Sequence, residues 1–190
     1  FNPQTQITIE CWCKAQYLST SCNYIILALN GYECGDDYLL YITYSNSLYK
    51  VVFYLNGVGT IYYNSSYSEL TNYWNHFAGV YDGQNMILYK NGIQVATSNV
   101  GQHNIYRNPG TNFKIGFNQC YGGVGNRFTG LIDEVRVWNY GRSAKEIFAN
   151  YITEIEPKSG LLAYWKFNQN FLMDYSNNGK TLNYESSSNF

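Results

Sequence analysis

Paired carboxylates are the first chemistry to look for. A glycoside hydrolase holds two of them about 5–5.5 Å or about 6.5–9.5 Å apart across the scissile bond. On a strand that arrangement needs period-two spacing, so that both side chains face one cleft. The sequence offers adjacent pairs instead, Asp36-Asp37 and Asp133-Glu134, whose side chains point to opposite faces. The two histidines, His76 and His103, form no recognisable nucleophile–base arrangement, and His76 alternates with Trp74 and Ala78 as a packed strand residue would. These residues speak against a polysaccharide-degrading enzyme and for a non-catalytic chain. Calcium takes about six to eight oxygens. Asp174, Ser176 and Asn177 could supply some of them from one loop, or Asp174 could simply close an Asx turn; both readings stand. Sugars are held by aromatic faces beside planar polar groups. Trp12 and Glu10 share one strand face, and Tyr62 and Tyr63 precede the sequon Asn64-Ser65-Ser66. These four are the candidate glycan contacts, against the alternative that Trp12 packs beneath a loop and the tyrosines pack at an edge. Asn64 is an acceptor for N-glycosylation in a eukaryotic secretory route.

The cysteines are Cys11, Cys13, Cys22, Cys34 and Cys120. No C-x-x-C pair occurs and histidine is scarce, which argues against zinc. Disulfides, and with them an oxidising compartment, are the better expectation. Cys11 and Cys13 stand two apart on one strand face, where a bond would be badly strained. A straight Tyr24–Leu29 run would hold Cys22 and Cys34 too far apart. Cys13 and Cys22 bracket a plausible hairpin loop, and Cys34 and Cys120 lie in glycine-containing loops. The expected bonds are therefore Cys13–Cys22 and Cys34–Cys120, with Cys11 a buried free thiol.

The elements that must position these groups read as strands. Tyrosine occurs 21 times and charged residues make up only 13% of the 190-residue chain, about half the usual share of about 25%. Aromatic residues favour a pleated, half-buried surface. The formal net charge is −1, and no basic stripe is present, which argues against nucleic acid, whose binding rests mainly on phosphate neutralisation. No apolar run is long enough to span a bilayer, so membrane insertion is not expected. Ile7 to Lys14 alternates, with Ile7, Ile9, Cys11 and Cys13 on one face. Further short runs follow, separated by turn residues: Ser45-Asn46-Ser47, Asn56-Gly57, Asp82-Gly83 and Asn91-Gly92. The last is the strongest hairpin signal, because both central residues of a type I′ turn need positive φ. About eleven short strands result, with no alternating βα units. One segment differs: Ser143-x-x-Glu146 is a capping box, followed by Ile147/Tyr151 and Phe148/Ile152 at i, i+4, which predicts a helix near 143–152. The fold expected is all-β, an antiparallel sandwich over one domain, 1–190. The chain reads as a fragment or processed form of something longer.

Several segments resemble laminin G-like domains of the concanavalin A-like lectin/glucanase superfamily. Trp74-Asn-His76-Phe-Ala78-Gly79-Val-Tyr81-Asp82-Gly83 resembles that family's W-x-H-x-A-x-x-Y-D-G strand and turn. Leu88–Val95 resembles its next hairpin, Phe113–Gly116 its short glycine-ended strand, and Gly130-Leu-Ile-Asp133-Glu-Val-Arg-Val-Trp138 its most specific motif. Gly160–Asn168 with Asp174–Gly179 is similar to its A-Y-W-x-F … D-x-S-G-N-G segment. Here that segment comes last rather than first, and Asn177-Asn178-Gly179 replaces the usual Gly-Asn-Gly. The resemblance implies a jelly roll, adds Asp133 to the calcium candidates Asp174, Ser176 and Asn177, and implies a recognition role outside the cell or at its surface. The partners expected are glycans, extracellular proteins or further copies of the chain. The rival expectation is a structural protomer or repeat of an extracellular fibre, coat or appendage, because abundant Tyr and Asn can tile contact surfaces.

Overall fold

Among the described residues, alternation and turn chemistry cut the chain into thirteen elements. The computed structural model describes residues 5–30, 36–106, 112–117, 127–168 and 172–184. In chain order they are β1 Ile7–Ala15, β2 Tyr24–Asn30, β3 Asp36–Ser45, β4 Leu48–Leu55 and β5 Gly59–Ser65. Helix α1, Tyr67–Asn72, is followed by β6 Asn75–Tyr81, β7 Asn85–Lys90, β8 Ile93–Asn99 and β9 Asn112–Ile115. Then come β10 Gly130–Trp138, α2 Ala144–Asn150 and β11 Leu161–Trp165. They form a six-stranded sheet, β11-β10-β1-β6-β7-β8, and a five-stranded sheet, β5-β4-β3-β2-β9. All pairings between these strands are antiparallel. The expected sandwich is the one observed.

The turns form where their residues demand them. Asn46 and Ser47 (φ 53° and 63°) join β3 to β4, and Asn91 and Gly92 (φ 49° and 79°) join β7 to β8. Both are the positive-φ pairs of a type I′ hairpin. Asp82 caps the β6–β7 turn by accepting from the backbone of Gln84 and Asn85 at 2.9 and 2.7 Å.

Between the sheets, Ile7, Ile9, Cys11 and Cys13 meet Leu40, Ile42, Val51 and Phe53, all buried. Each fully buried side chain of this size contributes roughly 1.5–3 kcal/mol. Gly79 is required on this face: a methyl there would lie 2.4 Å from Phe53 Cδ2. Phe77 and Tyr81 flank it in the same core. Ala78 and Val80 are 0% exposed, but they lie in a separate cluster with Tyr89 and Ile147. The centre of the six-stranded sheet is therefore buried on both faces. Helix α2 and its flanking segments cover the outer one. Ser143 caps α2 as expected, accepting from Glu146 N while Glu146 accepts from Ser143 N at 2.9 Å.

That cover changes the meaning of Thr8 and Glu10, both 0% exposed. Thr8 Oγ1 donates to Tyr140 O at 2.8 Å and accepts from Arg142 N at 2.9 Å. Alternation gave β1 one buried face; the structure gives it two.

Cys13 and Cys22 are not bonded; both, with Cys11, are free thiols. Cys13 sits within β1 between Asn75 and Ile132 of the six-stranded sheet. Cys22 precedes β2 in the other sheet, so the intervening segment crosses between sheets and is no hairpin loop. Cys34 and Cys120 lie outside the described residues.

Candidate functional site

Helix α1 was not foreseen, although the sequence carries its signal. Ser66-x-x-Glu69 has the same spacing as Ser143-x-x-Glu146, and Ser66 Oγ accepts from Glu69 N at 3.1 Å. Here the carboxylate also reaches beyond the helix start: Glu69 accepts from Ser65 Oγ and from Lys90 Nζ of β7. Leu70 fixes the helix to the core at 2% exposure. Asn75 Nδ2 donates to Glu69 O and Tyr73 O at 2.9 and 3.0 Å, holding the helix end against β6.

The consequence is an open cleft of about 1000 Å³ between α1, the β3–β4 turn and the start of β6. Its aromatic lining is Tyr44, Tyr49, Tyr67, Tyr73 and Trp74. Tyr44 meets Tyr49 edge-on at 4.9 Å, and Tyr49 lies 5.8 Å from Tyr67 between ring centroids. Tyr49 is anchored by its hydroxyl, which donates to Leu18 O at 3.1 Å. Tyr67, Tyr73 and Trp74 remain 42%, 66% and 40% exposed. Ser47, Asn64 and Asn91 contribute polar groups. Among the described residues, Glu69 is the single carboxylate of this lining. Burial raises its pKa, but the hydrogen bonds from Lys90 and Ser65 outweigh that and hold it below the ordinary carboxylate range.

The residues read from sequence as glycan contacts fall elsewhere. Glu10 is sealed beneath α2, where it accepts from Arg142 Nη1 at 2.7 Å and from Trp138 Nε1 at 2.8 Å. His76 Nε2 lies 3.3 Å from its other oxygen. Burial raises the Glu10 pKa, but His76 and the charges of Arg142 and Arg136 bring it down to about 2. Trp12 donates Nε1–H to Tyr151 O at 2.6 Å and stacks on the Tyr151 ring. It packs beneath the chain leaving α2 and is no open platform. Tyr62 and Tyr63 point to opposite faces of β5, because adjacent strand residues must. Tyr62 is exposed under Lys50 Nζ at 4.4 Å, and Tyr63 packs inward against the core. Asn64, the sequon residue, is exposed and lines the cleft. Nothing in alternation marked the cleft aromatics, since they come from three separate elements.

Of the calcium candidates, Asp174 and Ser176 meet in one loop. Asp174 Oδ1 accepts from the backbone of Tyr164 and Ser176 at 3.0 and 2.8 Å. Its Oδ2 accepts from Ser176 Oγ and Lys180 N at 2.9 and 2.8 Å. Four donors use the whole capacity of a carboxylate, about four lone-pair sites. Asn177 takes a left-handed conformation, φ 67°. The loop is a hydrogen-bonded turn, and its residues do not fit a cation. Asp133 lies three residues along β10 from Arg136, the residue that pairs with Tyr164. Its Oδ1 accepts from Glu134 N at 2.8 Å. Glu134 is the extra residue of a β-bulge (φ 51°) that turns its side chain to Arg136 and Tyr164. Among the described residues, no group of three or more His, Cys, Asp or Glu is placed to hold a metal.

A family model of the concanavalin A-like lectin/glucanases superfamily matches residues 1–148. No curated protein matches the sequence. Solved structures do. A Bacteroides ovatus protein assigned to carbohydrate binding superposes with TM-score 0.66 at 23% identity; the match covers 87% of this chain and 46% of that one. The SAP-like pentraxin of Limulus polyphemus gives 0.60 at 19% identity, covering 80% and 75%. The CBM40 module of the Ruminococcus gnavus IT-sialidase, solved with α2,3-sialyllactose, gives 0.58 at 22% identity, covering 78% and 83%. At these identities the likeness is one of fold. The chain spans less than half of the Bacteroides protein.

Proposed function

The chain belongs to the concanavalin A-like lectin/glucanase superfamily, and on that premise we propose that it is a non-catalytic glycan-binding module acting outside the cell or at its surface. The observation that carries this is the cleft: exposed Tyr67, Tyr73 and Trp74 beside Asn64, Asn91 and Ser47. Ring faces stack on the C–H faces of a sugar, while amides and hydroxyls bond to its edges. A largely preformed concavity with a few convergent polar groups is the usual form of a small-ligand site. The sugar-related proteins among its structural neighbours support the same reading. One carboxylate, already committed to Lys90, supports binding without hydrolysis, since the hydrolytic pair is missing from the described lining.

A glycan array probed with the purified chain tests this. Binding of at least one oligosaccharide class, with the bound sugar recovered intact, is expected. Silence across the array, or cleavage products, would overturn it.

A further inference from the structure

We infer that the ligand of this cleft is a neutral oligosaccharide, read through hydroxyls and ring faces, and not a sialylated or uronate-bearing one; the inference rests on the glycan-binding reading above. A carboxylated sugar is recognised most strongly by a cationic donor, above all a bidentate guanidinium. Among the described residues, the cleft lining holds one cation, Lys90. Its ammonium is held on Glu69 Oε1. The two side chains are only 13% and 29% exposed, and Lys90 Nζ lies 5.4 Å from the centre of the Tyr63 ring. Glu69 is fixed in turn by Ser65 Oγ, with the Tyr63 hydroxyl at 3.5 Å. Drawing Lys90 toward a ligand carboxylate would strand a half-buried Glu69, and an unpaired buried charge is costly.

The charged pair thus sums to zero, and an incoming carboxylate would meet Glu69 as a like charge. Everything else in the lining is hydroxyl, amide, apolar side chain or ring: Ser47, Asn64, Ser68, Asn91 and the aromatic residues. Those are partners for sugar hydroxyls. The CBM40 neighbour was solved with a sialylated ligand, so shared fold and shared ligand charge separate here.

The test is calorimetric titration of the full chain with matched probes: lactose against 3′-sialyllactose, and xylohexaose against its glucuronic-acid-substituted form. The neutral member of a pair should bind at least about tenfold tighter, a difference of about 1.4 kcal/mol. Its affinity should be the same at low and high salt, because no ionic contact is screened. Equal or tighter binding of the carboxylated member would overturn the inference while leaving glycan binding intact. No binding by any probe on the array or in the calorimeter would remove both. Glu69→Gln keeps the acceptor and frees the Lys90 charge, so it should raise 3′-sialyllactose affinity about tenfold. An unchanged affinity in a variant with a normal melting curve would also overturn the assignment. The wild-type comparison decides the matter even if that variant fails to fold.

Discussion

Glu10 stands on the face of β1 that alternation marks as outward, yet it is fully buried against Arg142, Trp138 and His76. Removing its charge strands Arg142, itself 1% exposed. Glu10→Gln should therefore cost about 3–5 kcal/mol in urea unfolding. The pH sign follows from a folded pKa of about 2 against an ordinary 4.5. The depressed value stabilises the fold above pH 4.5, and that contribution, on the order of 3 kcal/mol, is lost as pH falls toward 2. Stability that stays flat over this window in the wild type, or that falls equally steeply in Glu10→Gln, would contradict the pairing. In the cleft, Trp74→Ala and Tyr67→Ala remove exposed rings. Each should weaken glycan binding about tenfold or more, with little change in melting temperature, because exposed rings contribute little to the core. Loss of stability with binding retained would place those rings in the wrong role. Asp174 makes the third case. Its four hydrogen bonds leave no lone pair for calcium, so a chelator should leave the melting curve unchanged. Loss of a calcium ion held at a hundredfold its Kd would instead remove about 2.7 kcal/mol.

At the scale of elements, period-two alternation and the turn residues made the strands and the capping box made α2 legible, because those signals are local. What covers a sheet is not local. Tyr151 and Arg142 close over β1 from more than 130 residues away in sequence, so Glu10 reads as exposed when it is not, while Trp12 takes the packed one of its two readings. The same limit hid the cleft, whose aromatics come from β3, β4 and the region around α1. Cys13 and Cys22 failed for a related reason: a short segment between strands can be a hairpin or a crossover between sheets. The Ser143 cap gives the direct test at this scale. Ser143→Ala should lower stability by about 1 kcal/mol, with the denaturant slope unchanged, because the change removes one cap and no exposed surface. No change in stability would mean that α2 is held by packing alone.

For the whole molecule, the two sheets share one core while α1 and the β3–β4 turn stand open at one edge. The order of segments, with Gly160–Asn168 last, still completes the fold: β11 pairs with β10 at the end of the six-stranded sheet. This edge is proposed to bind a glycan and leave it intact. Amide NMR of the labelled chain, titrated with the best sugar from the array, tests site and chemistry together. Shifts should gather at residues 64–75, 90 and 91, with the sugar's own resonances unchanged after prolonged incubation. Shifts centred on Trp12 and α2 instead, or new reducing-end signals from the sugar, would contradict the account.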